Sequence, residues 1–190
     1  MDTLNQYAKE HDVPILQEAG FEFVLKTIKE EGCQSFLELG TAIAKTSIAV
    51  TQIHPDMKVV TIERDQTMIE QAKKNISKAG VGNQITLIEA DALEAEVEGV
   101  FDCIFIDAAK AQYRRFFEKY CPHLSANGII ISDNMNFHGL VAHPERTNNR
   151  NTRQLVRKLK QYGDYLSQLD EFQTTFYDIG DGIAVTRRKV

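Results

Sequence analysis

Ser35-Phe36-Leu37-Glu38-Leu39-Gly40-Thr41-Ala42-Ile43-Ala44-Lys45-Thr46 decides how this chain is read. An apolar, strand-like run enters a single glycine. A helical pattern then holds from Ile43 to Ile53, until His54-Pro55 breaks it. The same unit repeats downstream. Lys58 to Ile62 is a β-branched strand ending at Glu63, and Asp65 is placed to cap a helix over Gln66–Ala79 that stops at Gly80. Gln84–Glu89 and Phe101–Ile106 read as the next strands, the second ending at Asp107. A helix over Lys110–Tyr120 leads to the strand Gly128–Ser132, which ends at Asp133-Asn134. Upstream, Phe21–Glu31 is helical and closes at Gly32, and a further helix spans Thr3–His11. Downstream, a helix over about Asn149–Tyr162 precedes strands Phe172–Ile179 and Ile183–Arg188, joined by Gly180-Asp181-Gly182, a hairpin signal.

Strands alternating with helices predict an α/β fold: a doubly wound, Rossmann-like, mostly parallel sheet with a C-terminal antiparallel hairpin. The 190 residues suit one domain over 1–190. Composition is that of an ordinary globular chain, 43% hydrophobic and 26% charged, which argues against disorder. No apolar run is long enough for a membrane span, and the N-terminus carries no secretory signal. Cys33, Cys103 and Cys121 are odd in number and widely spaced, so all three are expected as reduced, mostly buried thiols in a cytoplasmic protein. Net charge is −5 but uneven: Leu140 to Lys160 holds six bases against the single acid Glu145. An acidic body with one basic arm suits either a polyanionic partner or a solvated helix face.

Ligands of such sheets sit beyond the carboxyl ends of the strands. The polar residues there are Glu38 and Gly40, Glu63, Asp91, Asp107, and Asp133 with Asn134. Gly40 alone is neither the three-glycine dinucleotide fingerprint nor a P-loop. Glu63, 23 residues after Gly40, can accept both ribose hydroxyls of a nucleoside, or it is a surface or capping residue. Asp91-Ala92 is placed to flank an adenine. A nucleoside without a pyrophosphate suits a one-glycine turn, and S-adenosylmethionine is one. Asp107, Asp133 and Asn134 converge if their strands are neighbours. Three oxygen ligands suit Mg²⁺, Ca²⁺ or Mn²⁺; the alternative is that both aspartates cap the turns that follow. Lys110 is a base beside a metal-bound hydroxyl, or an ordinary helix-start lysine.

Leu37-Glu38-Leu39-Gly40-Thr41-Ala42, Asp107-Ala108-Ala109-Lys110-Ala111-Gln112-Tyr113, Ser132-Asp133-Asn134 and Gly180-Asp181-Gly182-Ile183 together resemble the cation-dependent O-methyltransferases. That family includes the catechol and caffeoyl-coenzyme A enzymes, and the resemblance runs from about Pro14 to Lys189. It implies a class I methyltransferase sheet and S-adenosylmethionine bound along Glu38, Gly40, Glu63, Asp91-Ala92 and Asp107. It also implies metal ligation by Asp107, Asp133 and Asn134, a catalytic base at Lys110, and a homodimer with the N-terminal helix as candidate contact. One departure stands out: Ala44-Lys45-Thr46 replaces the frequent Gly-Tyr-Ser. Thr46 still offers a hydroxyl to the methionine carboxylate, while Ala44 narrows the turn.

The acceptor must chelate. In brevity and in the arm after Asn134, the chain is similar to the bacterial tRNA 5-hydroxyuridine methyltransferases. That likeness makes the wobble uridine of tRNA the expected acceptor, with a small catechol-like phenol as the alternative. Phe137 and His138 can stack on a base, and Arg146, Arg150, Arg153 and Arg157 can track phosphates, extended by Arg114 and Arg115. His138 and His143 read as polar loop residues rather than metal ligands. A non-catalytic RNA-binding module would not need Asp107, Lys110, Asp133 and Asn134 together. A nicotinamide oxidoreductase would need the missing glycines.

Overall fold

The structure is a computed structural model, and it describes residues 2–189. Seven strands form one sheet: β1 Ser35–Leu39, β2 Lys58–Glu63, β3 Ile85–Glu89, β4 Phe101–Ile106, β5 Leu124–Ser132, β6 Phe172–Tyr177 and β7 Ile183–Arg188. Their order is β3-β2-β1-β4-β5-β7-β6. The first five are parallel, whereas β7 runs antiparallel to both β5 and β6. The chain thus runs outward from β1 to β3, then returns to the other side of β1 for β4 and β5. That reversal opens a crevice between the carboxyl ends of β1 and β4.

The central strands are buried on both faces, because helices cover both. On one face, α2 (Glu18–Glu30), α3 (Lys45–Val50) and α4 (Gln66–Ala79) pack Val24, Ile28, Ile48 and Ala72 against Phe36, Val59, Phe105 and Ile131. On the other, α5 (Tyr113–Tyr120) and α6 (Arg150–Ser167) pack Phe116, Phe117, Leu159 and Tyr162 against Leu37, Ile104, Ile106 and Ile130. The helix α1 (Asp2–Glu10) sets Ala8 beside Val13 and Ile43.

Local chemistry fixes α4 at the predicted limits. The Asp65 carboxylate accepts from Met68 N at 3.0 Å, and Gly80 ends the helix with φ 70°. Other boundaries move. The helix expected over Ile43–Ile53 is only Lys45–Val50, flanked by turns. Lys110–Gln112 is a 3₁₀ turn before α5 rather than its first turn. The helix α6 runs on to Ser167, β5 starts at Leu124, and β6 stops at Tyr177. Cys33 and Cys103 are buried free thiols, while Cys121 is only half-buried. Among the described residues no helix is long and apolar enough to cross a membrane.

Candidate active site

Gly40 closes β1 and brings two strands together. Its φ is +100°, and a Cβ there would stand 2.4 Å from the Asp107 carbonyl oxygen, so only glycine fits this approach. Gly40 N and Thr41 N donate to Ile62 O at 3.0 and 3.2 Å, and Asp107 N donates to Leu39 O at 3.0 Å. The turn that follows is left-handed at Ala42 and Ala44, with φ 46° and 63°. The residue expected to narrow this turn therefore takes on the strained conformation itself.

Glu63 reaches across from β2. One carboxylate oxygen accepts from Ala42 N at 2.9 Å, and the other from Arg64 N and Asp65 N at 2.9 and 3.0 Å. It holds the β1 turn in place, and the oxygen that accepts only from Ala42 N keeps a lone pair for a further donor. Asp91 accepts from Leu93 N and pairs with Arg64 at 2.8 Å, contacts that hold its carboxyl below the usual range. Two α5 side chains fix the next segment: Tyr120 Oη donates to Ala92 O at 2.6 Å, and Lys119 Nζ donates to Leu93 O and Ala95 O.

These groups border a cleft of about 600 Å³ that contains Gly40, Glu63, Asp91, Ala92, Asp107 and Lys110. The sequence reading missed several of its walls. His11 to Pro14 close one side, and Arg64 and Met68 another. Nothing local in the sequence marks the N-terminal segment, because it reaches the cleft through the tertiary fold alone. A second, small hollow shares Gly40 and Asp107 with the cleft and is also lined by Leu16, Glu38, Lys45 and Thr46. Glu38 is 1% exposed, and burial pushes its carboxyl up to about 7. Ser47, Thr46 and Thr61 donate to it, Thr61 at 2.7 Å.

Asp107, Asp133 and Asn134 meet at the ends of β4 and β5, joined by the pair Asp133 N to Ile106 O at 3.2 Å. Asp107 does not cap the 3₁₀ turn that follows it, which starts after Ala109 with no side-chain cap. The Asn134 amide donates to Asp133 and, at 3.4 Å, to Asp107. Asn134 itself is left-handed, φ 58°. Burial raises the Asp107 carboxyl well above the usual range and the Asp133 carboxyl to about 6; the nearby Lys110 ammonium acts against both shifts. Among the described residues no three His, Cys, Asp or Glu side chains cluster as a metal site. The convergent set is two carboxylates and one amide.

The remaining predicted residues lie around this point. Phe137 and His138, both left-handed, have ring centroids 5.4 Å apart. His138 N donates to Asp181, a buried carboxylate in the β6–β7 turn that the sequence reading took as part of the hairpin and not as a site residue. His143 pairs with Glu145 at 3.2 Å, away from the aspartates. Arg146, Arg150 and Arg157 are exposed. Arg153 is engaged by its own loop, donating to Thr147 O at 2.7 Å and to Asn148 at 3.1 Å. Arg114 pairs with Glu118 at 2.8 Å and lies over the Tyr165 ring; Arg115 donates to Gln112 at 3.1 Å. The arginines thus form no single continuous row of free guanidiniums.

A family model described as O-methyltransferase matches residues 2–189. Among solved structures, a candidate caffeoyl-CoA O-methyltransferase from Staphylococcus aureus is 37% identical with TM-score 0.95, covering 99% of this chain and 91% of that one. An S-adenosylhomocysteine-bound Podospora anserina methyltransferase is 27% identical with TM-score 0.82, over 90% and 78%. A caffeoyl-CoA O-methyltransferase from Populus kitakamiensis is 27% identical over 178 residues, 87% of this chain and 74% of the relative.

Proposed function

This chain belongs to the O-methyltransferase family and is an S-adenosylmethionine-dependent O-methyltransferase, and from that premise we propose that its acceptor is a small catechol-like phenol. The observation that carries this reading is the meeting of Asp107, Asp133 and Asn134 beside Lys110, at the edge of the nucleoside-sized cleft. Relatives named for caffeoyl-CoA and flavonoid substrates favour a small acceptor over the tRNA expected from the sequence.

A divalent cation fits the donor set. Two carboxylates of like charge, Asp133 buried and Asp107 half-buried, with an amide that can turn its oxygen inward, suit a hard cation such as Mg²⁺. Asp107, Asp133 and Asn134 would hold it, and it would lower the acceptor hydroxyl's pKa and orient two adjacent oxygens. Lys110, beside the two aspartates, is the side chain placed to accept or relay the hydroxyl proton. The phenolate oxygen then bonds to the sulfonium methyl carbon as the carbon–sulfur bond breaks, leaving S-adenosylhomocysteine and a methyl ether. Glu63 and the Asp91–Ala92 segment orient the nucleoside, so that much of the acceleration comes from alignment.

A second reading, methylation of 5-hydroxyuridine in tRNA, draws support from the exposed Arg146, Arg150 and Arg157 beyond Phe137 and His138. Labelled S-adenosylmethionine with Mg²⁺, offered separately to a catechol and to tRNA carrying 5-hydroxyuridine, separates the two. Label in the catechol, lost in EDTA and lost in Asp133→Ala, is the expected result. Label in tRNA alone would reverse the choice of acceptor, and transfer that survives EDTA would remove the metal.

A further inference from the structure

The turn between β6 and β7 encloses an acid that the turn itself does not need. Gly180 and Gly182, with φ 59° and 85°, make the bend. Asp181 between them is nonetheless only 7% exposed. Taking a carboxylate out of water is costly unless donors compensate it. One Asp181 oxygen has no partner among the described residues. The other accepts from His138 N, and the His138 ring Nδ1 stands 3.5 Å from it. What this side chain holds is therefore the segment that follows Asp133 and Asn134.

That segment needs holding. Asn134, Phe137 and His138 are left-handed without being glycine, a backbone state that persists only where its surroundings impose it. Its other ties lead to the same turn: Met135 N donates to Gly182 O at 2.9 Å, and Asn136 N donates to Asp181 O at 2.8 Å. The two stretches fit closely, since a Cβ on Gly182 would stand 2.6 Å from Asn136 N. The Asp181 side chain adds the last tie, at the left-handed pair Phe137-His138. Asn134 lies immediately before these ties, so the direction of its amide follows from how the segment is fastened.

We propose that Asp181 is a positioning residue for the cation site: by accepting from the His138 amide it fixes the left-handed segment and so keeps Asn134 in place beside Asp107 and Asp133. The proposal rests on the metal reading above. Asp181 acts through the backbone, so any side chain that offers an oxygen at the same place can do its work.

Mn²⁺ uptake, followed by electron paramagnetic resonance in the presence of S-adenosylhomocysteine, tests it without turnover. Asp181→Ala should weaken Mn²⁺ binding by roughly tenfold to a hundredfold, the usual effect of removing a group that orients a metal ligand. Affinity for S-adenosylhomocysteine should stay within about twofold, because no residue of this segment or turn lines the nucleoside cleft. Asp181→Asn still offers an oxygen to the amide and should restore Mn²⁺ binding to within about threefold of native. Native Mn²⁺ affinity in Asp181→Ala would overturn the proposal. So would a loss in Asp181→Asn as large as in Asp181→Ala, which would assign the effect to the buried charge. Coupling is reciprocal, so Mn²⁺ should slow hydrogen exchange at the His138 amide of the native protein, a measurement that needs no variant. Exchange there that is indifferent to Mn²⁺ would count against Asp181. A native protein that takes up no Mn²⁺ would instead overturn the metal reading itself.

Discussion

Glu38 carries the clearest pH consequence of any single residue. Its carboxyl is fully enclosed, accepts from Thr61 at 2.7 Å and from Ser47, and Thr61 in turn meets Thr41 at 2.6 Å. Burial outweighs those donors and raises the carboxyl from 4.5 to about 7. Between these values the unfolded chain has released the proton and the folded protein has kept it. Stability from this group is therefore complete below about pH 4.5 and is lost as pH rises toward about 7. Glu38→Gln keeps the shape and removes the titration. Its melting temperature should decline less than the native protein's from about pH 5 to 7.5, a differential on the order of 2–3 kcal/mol. Thermal melts across that range check it, and parallel curves for the two proteins would place the pH sensitivity elsewhere. The sequence puts Glu38 at a strand end and hence in the cofactor site. It does not reveal that three hydroxyls from α3 and β2 surround the carboxyl, because that enclosure forms only when the strands pair.

At the scale of elements, the junction of β1, its turn and α3 depends on Gly40. A side chain there must take φ +100° and stand 2.4 Å from the backbone oxygen of Asp107, which cannot yield without shifting β4. Gly40→Ala should cost about 2–4 kcal/mol in urea unfolding, and it should weaken S-adenosylmethionine binding by pushing Asp107 outward. A variant with native stability and native affinity would show that the two strand ends are free to part. Elements whose limits are written in neighbouring residues were legible beforehand, α4 between Asp65 and Gly80 above all. Those set by distant partners were not. The first residues of β5 pair with β4 across a register shift between Phe101 and Cys103. Leu166, buried against the sheet, carries α6 past Gly163, where a local reading would let the helix end.

Over the whole molecule, the legible part of the site is what the sheet's topology delivers: acids at the ends of β2 and β4 line one cleft, and the acids at the ends of β4 and β5 meet beside it. Its least legible wall, His11 to Pro14, comes from a segment remote in sequence, and no spacing rule connects it to the strand ends. Charge is also a whole-molecule property, and it offers the sharpest test of the acceptor. The protein carries −5 overall, yet exposes Arg146, Arg150 and Arg157 beyond the site. A small neutral phenol releases no counterions when it binds. Its kcat/KM should therefore stay within about twofold from roughly 50 to 200 mM salt, and in the double variant Arg150→Ala/Arg157→Ala. A polyanionic acceptor behaves differently, because each neutralised phosphate adds nearly one to the slope of log affinity against log salt. If tRNA is the acceptor, methylation should fall steeply with salt, and removing the two arginines should flatten that slope by roughly two. The exposed arginines then lie along a phosphate track; a flat salt profile leaves them a solvated helix face on an enzyme of small phenols.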